Sequence, residues 1–220
     1  MAGLIGLQAA DMEIQDALRA KKWAYDGTWI PHPVVRLTTT MPIAVVKDEV
    51  RTVVRARWGF PVGAGRPVGN ARDDRLLESP MWRGMLGKSP ALACTTGVYE
   101  MVGEGKDKQS IWFRRADRKP IVMPALAGIR NMDGEARLCV AIVTTSPNKL
   151  FGRYHDRQVC TLTDKEADAW MATTDQDDAV KLLHTARDGE WEAVPVDSAI
   201  FQKGRREDEH LREVGPVVRE

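Results

Sequence analysis

Apolar and polar positions alternate in short runs over the first third of the chain, and these runs predict strands. "VVRLTTT", "PIAVV" and "VRTVVRARW", between Val34 and Trp58, are rich in Val, Ile and Thr and punctuated by Pro31, Pro33, Pro42 and an acidic turn. Before them, "DMEIQDALRAKKW" has helical spacing, with Ile14, Ala17 and Leu18 on one face and Asp11 placed to cap it. "SPMWRGMLGK" reads as one helix, with Ser79 as cap, Pro80 as first residue and Gly87 as stop. Strands return in "ALACTTGVYEM", and the turn "GEGK" joins it as a hairpin to "SIWFRR". "IVMPALAGI" and "RLCVAIVTT" are apolar enough for central strands. "TDKEADAWM" opens with a capping box, Thr163 and Glu166, and "DQDDAVKLLHTAR" is a further helix capped by Asp175. The order is irregular. It predicts an α+β single domain over 1–220, with a curved, largely antiparallel sheet or open barrel-like core flanked by short helices, and it argues against a doubly wound fold. The densely charged end, about 203–220, is expected to be an exposed tail.

Charge adds one constraint. Lys and Arg nearly cancel Asp and Glu, leaving +1 on 220 residues. A nucleic-acid partner would therefore need the positive charge gathered on one face, and Arg55, Arg57, Arg66, Arg72 and Arg75 are bunched. No run of apolar residues is long enough for a membrane span, and the N-terminus lacks the basic start of a secretory signal. Cys94, Cys139 and Cys160 form no C-x-x-C pair and read as small core residues, so a reducing, cytoplasmic setting is expected, with no disulfide framework, metal or cofactor. "GAGRPVG" has the wrong spacing for a dinucleotide loop and no long helix after it, so no nucleotide cofactor is expected. His32 between two prolines, His184 on a helix flank and His210 in the charged tail have no neighbours at metal-ligand spacing.

Three segments stand out together: "VRARWGFPVGAGRPVGNARDD", "TTGVYEM" and "VTTSPNKLFGRYHDRQV". Within them "RWGFP", "NAR", "GVYEM", "AGI" and "IVTT…HDRQV" follow one another in an order that resembles the SOS-response-associated peptidase family, proteins that process abasic sites in single-stranded DNA. The resemblance covers nearly the whole chain. It implies that Asn70, Glu100 and His155 are catalytic; Trp58, Arg72, Thr145 and Arg157 are the candidates for contact with DNA. The chemistry of these residue types agrees. His titrates near neutrality, a desolvated Glu can act as base or acid, Arg can hold phosphates bidentately and Trp can stack on an unpaired base. The plainer readings are core packing for Trp58, surface ion pairs with Asp73, Asp74 or Asp156 for Arg72 and Arg157, and a strand-end salt bridge for Glu100.

The front of the chain departs from the family. The family begins M-C-G-R, and its exposed Cys closes a thiazolidine on the aldehyde of a ring-opened abasic sugar. This chain begins "MAGL", with Ala2 in the place of that cysteine and Leu4 in the place of the arginine. Removal of Met1 would expose the Ala2 α-amine, whose pKa of about 8 leaves roughly a tenth neutral at pH 7. That amine can form an imine with an aldehyde. "YEM" and "HDRQV" in place of Y-E-W and H-D-R-M-P change the site walls and keep the ionisable groups. Three readings stay open: an abasic-site lyase with Ala2 as nucleophile, a DNA-binding protein that has lost covalent chemistry, and a groove recruited for protein contact. A monomer acting on single-stranded or junction DNA with abasic sites is expected.

Overall fold

The computed structural model describes residues 3–63, 65–105, 108–201 and 211–219. Among these residues, thirteen strands and four short α-helices make an α+β fold. The strands are β1 (Leu4–Leu7), β2 (Lys22–Trp23), β3 (His32–Arg36), β4 (Thr40–Lys47), β5 (Val50–Trp58), β6 (Asn70–Arg72), β7 (Pro90–Thr95), β8 (Gly97–Val102), β9 (Gln109–Arg115), β10 (Ile121–Met132), β11 (Glu135–Thr145), β12 (Gln158–Val159) and β13 (Trp191–Val196). The helices are α1 (Asp11–Ala17), α2 (Pro80–Arg83), α3 (Asp164–Ala172) and α4 (Gln176–Lys181). None among the described residues is long and apolar enough to cross a membrane.

Two sheets share the core. The larger runs β12-β11-β10-β7-β4-β5-β2, and β11 also pairs with β5, so β5, β4, β7, β10 and β11 close into a five-stranded barrel. The barrel strands are the β-branched and apolar runs of the sequence, and closure leaves them no free edge to expose. Antiparallel hairpins supply most of it. The closing seam, β5 against β11 at Arg57–Cys139 and Trp58–Val140, is parallel. β6 continues along the same edge of β11, with Asn70 opposite Ile142 and Arg72 opposite Thr144. The acidic turn between β4 and β5 is built by Asp48 and Glu49, both with positive φ, as a two-residue hairpin of primed type requires.

The smaller sheet has the order β13-β9-β8-β1-β3. β1, four residues with Gly3 before it and Gly6 within it, carries little local strand signal, and its place is set by its partners. Gly6 stands opposite Gly97 on β8, and the Trp112 indole covers both. A Cβ on Gly6 would lie 2.5 Å from that ring, and one on Gly97 2.3 Å, so only glycine allows this close approach and it fixes the register.

Three local expectations change. Asp11 does not cap α1. Its carboxylate accepts the Trp29 amide, while Glu13 reaches back to the Ala10 amide. The "SPMWRGMLGK" helix stops at Arg83 and continues as turns to Gly87, whose φ is positive. α4 ends at Lys181, leaving His184 in the following loop. The Thr163–Glu166 capping box and the Asp175 cap form as expected. The C-terminal segment 211–219 remains largely exposed, yet it is not loose. Val218 bridges Ala193 and Glu213 bridges Val196 on β13. Arg219, Arg118 and Arg114 converge on the fully buried Glu192 carboxylate.

Candidate functional site

Glu100 sits on β8 opposite Ile111 of β9, on the same face as Val98 and Phe113, and is 5% exposed. That face looks into the core. Phe113 stacks on Phe151 at 3.9 Å and meets Tyr154 edge-on, so the residues just before His155 pack against the strand next to Glu100. The opposite face of β8 carries Tyr99, in a separate cluster with Trp112 and Val194. Alternation along β8 therefore aims Glu100 toward the His155 loop and Tyr99 away from it.

His155 follows the short 3-10 turn Phe151–Arg153 and is half-buried. Its Nδ1 accepts the Arg157 amide at 3.0 Å and lies 2.8 Å from an Asp156 carboxylate oxygen. The amide contact requires an unprotonated Nδ1 and so favours the neutral Nε2–H tautomer. Burial is the main effect and lowers the imidazole's pKa, against the opposing pull of Asp156. A neutral ring at pH 7 is ready to accept a proton.

The loop is held by Arg157, whose side chain is 8% exposed. Its Nη2 donates to Asp73 at 2.6 Å and to the Thr144 carbonyl. Asp73 lies just past β6, so this brace fixes the His155 loop to the strand that carries Asn70. Asn70 is half-buried at the start of β6. Arg72 remains 48% exposed on its side chain and forms a fork with Asp74, through Nε at 3.0 Å and Nη2 at 2.7 Å. That hydrogen bond chiefly raises the Arg72 pKa, and Asp156 adds to it, so the two loops are electrostatic neighbours.

β1 brings the front of the chain to the same place. Ile5 opposes Val98 and Gly6 opposes Gly97. Continuing that register by two residues sets Gly3 level with Glu100. The Gly3 carbonyl accepts the Leu37 amide at 3.0 Å, and the Arg66 guanidinium packs beside it. Ala2 lies outside the described residues, as do His210 and half of the charged tail.

Two DNA-contact expectations, Trp58 and Arg157, need correcting. Trp58 is fully buried and its indole N–H donates to the Gly69 carbonyl at 2.8 Å, so it anchors the loop before Asn70 and offers no face to a base. Thr145 is buried opposite Gln158 on β12, to about the same degree as Glu100. Arg157 is the brace just described and not an exposed phosphate ligand. Arg72 alone of the four keeps an accessible side chain, and it is paired with Asp74. Ion pairing with Asp73 and Asp74 was thus the correct plain reading for both arginines. What that reading lacked was the burial of the Arg157–Asp73 pair, which joins positions 84 apart and braces the His155 loop.

The cysteines are all buried, and desolvation pushes the Cys94 and Cys160 thiols up to about 12, which makes them inert packing groups. No group of three His, Cys, Asp or Glu among the described residues could hold a metal ion.

The SOS response associated peptidase (SRAP) family description matches residues 1–203. The abasic site processing protein YedK of Escherichia coli is 27% identical over 161 residues, spanning 70% of this chain and 72% of that one. The abasic site processing protein YoqW of Bacillus phage SPbeta is 28% identical over 158 residues, spanning 66% and 70%. Among solved structures, a protein from Bacteroides thetaiotaomicron superposes with a TM-score of 0.77 at 18% identity, covering 92% of this chain and 95% of that one. A phage-related protein from Bordetella bronchiseptica gives 0.71 at 22%, covering 88% and 93%. These two likenesses concern the fold. With the motif order, the architecture and the match to residues 1–203 in agreement, the chain belongs to the SOS response associated peptidase (SRAP) family.

Proposed function

We propose that this protein processes abasic sites in single-stranded or junction DNA through a reversible imine at its N-terminal amine. One observation carries the reading. The β1 register, locked by the Gly6–Gly97 pair, leads the front of the chain toward Glu100, and Glu100 faces the loop that holds His155. The names of the relatives YedK and YoqW supply the substrate class.

The steps follow from the groups in place. The neutral Ala2 amine, exposed by loss of Met1, adds to the C1′ aldehyde of the ring-opened sugar, and water leaves as the imine forms. The imine acidifies the adjacent C2′. A base, Glu100 or the neutral His155, removes that proton, and the 3′ phosphate departs with its bonding electrons. Water then hydrolyses the imine and restores the amine. Asn70 orients the sugar by hydrogen bonds, and Arg72 exchanges Asp74 for a phosphate. With Ala2 in place of a cysteine no thiol can close a ring on the imine, so the linkage stays reversible.

That same alanine favours a second reading, a non-covalent DNA-binding descendant. Borohydride trapping on DNA with one abasic site, after mass spectrometry of the mature N-terminus, separates the two. An adduct at Ala2, with strand cleavage reduced at least a hundredfold in Glu100→Gln or His155→Ala, is the expected result. Salt-sensitive binding without any adduct would leave only the second reading.

A further inference from the structure

We infer that a second arginine surface, on the other face of β11 from Asn70, binds the sugar-phosphate backbone of the nucleic acid that flanks the lesion; the inference rests on the DNA reading above. Asn70 stands opposite Ile142 on β11, and Arg57 stands opposite Cys139. Cys139 and Ile142 are three residues apart, so they point to opposite faces, about 10 Å apart along the strand. Arg137 shares the Cys139 face two positions earlier. Arg130 lies directly across from Arg137 on β10, and Gly128, across from Cys139, has no side chain to crowd them. The three guanidinia Arg57, Arg130 and Arg137 all act electrostatically on the Cys139 thiol, which places them around one point.

Their partners distinguish this group from ordinary surface charge. Arg57 donates to the Gly59 carbonyl at 2.5 Å. Arg130 donates to the Ile129 carbonyl and stacks over the Phe60 ring at 4.8 Å. Neither has a carboxylate in ion-pair range among the described residues. Arg137 has only the exposed Glu135. Arg55, two positions before Arg57 on the same face of β5, stacks over Tyr25 at 5.4 Å and has the exposed Asp26 at 3.7 Å. Stacking uses the guanidinium face and leaves for phosphate the edge N–H groups not already given to a carbonyl. Like charges directly across a strand pair are unfavourable, and Arg130–Arg137 is such a pair in a chain whose net charge is only +1. A spaced row of phosphates is the ligand that relieves it. The loop between β5 and β6 carries Arg66 beside Gly3, which adds a basic group near the front of the chain.

The test compares the full chain with Arg57→Gln/Arg130→Gln/Arg137→Gln. Each protein is titrated with a short abasic oligonucleotide that covers only the Asn70–Glu100–His155 site, and with a longer one bearing flanks. The expected loss is tenfold or more on the longer DNA alone, and the log-log salt dependence should fall by about 2, for three single-strand phosphates. Arg→Lys at the same three positions should retain most of the slope, which controls for folding. Equal affinity and slope in the Gln variant, or wild-type binding that ignores the flanks, would overturn the surface. Arginine-dependent binding without a borohydride adduct would sink the imine and leave the surface standing.

Discussion

Arg72 and Arg157, beside the site motifs, differ from Arg57 and Arg130 on the far face of β11 in what they touch. The first two are answered by Asp74 and Asp73 within the fold. The second two have carbonyl or aromatic neighbours and no described carboxylate. Proximity to a motif therefore does not make an arginine a phosphate ligand. Arg157 and Asp73, 8% and 19% exposed, hold structure, whereas Arg72 and Asp74, 48% and 47% exposed, can part, and Arg57 and Arg130 have no such partner to leave among the described residues. Arg157 also shows the cost of such a partner. Its Nε is a buried donor with no partner among the described residues, so the brace is not fully satisfied.

The largest test of that division is Arg157→Met. It strands Asp73 and loosens the His155 loop, and should cost about 3 kcal/mol in denaturant unfolding. Unchanged stability with lost DNA affinity would return Arg157 to the phosphate contacts. A smaller effect of opposite sign is expected for Arg137→Gln, which removes the cross-strand repulsion with Arg130 and should raise stability by about 0.5 kcal/mol, read as a higher Tm. A lower Tm would mean that the pair is already relieved within the fold.

The smallest effect concerns a cation whose partner depends on pH. His184 has Glu166 at 2.8 Å from Nε2 and the Thr185 carbonyl at 3.1 Å from Nδ1, two acceptors that only the protonated ring can serve. Burial opposes the charge, but these contacts outweigh it and raise the pKa above 6.5. A raised pKa gives stabilisation that is complete below about 6.5 and fades as pH climbs through the folded value. The Tm gap between wild type and His184→Gln should thus be wider near pH 6 than near pH 8. A gap that widens with pH would show that the ring is held neutral.

Much of the fold was legible because its signals are local. β3 to β5, β10 and β11 follow β-branched runs, the β8–β9 hairpin follows its turn, and α3 follows its capping box. β1 was not legible. Its four residues become a strand because Gly6 and Gly97 admit each other beneath Trp112, and that fit joins positions 91 apart. The same limit applied at the site. Motif order marked Asn70, Glu100 and His155, and alternation along β8 gives Glu100 its direction. The burial of Trp58 and the Arg157–Asp73 contact depend on the parallel seams of β5 and β6 against β11, which no stretch of sequence encodes alone.

The clasp at Glu192 has a consequence for solubility. β13 is the outermost strand of the smaller sheet, and its sequence, "WEAVPV", is largely apolar. An uncovered strand of that kind is a template for other chains. Val218 and Glu213 occupy part of its open side, while three arginines gathered on one carboxylate tie down Arg219 and so the segment's end. The last residues thus act as a guard against strand-to-strand aggregation. A chain cut before Leu211 would keep every group of the site and still present a sticky edge.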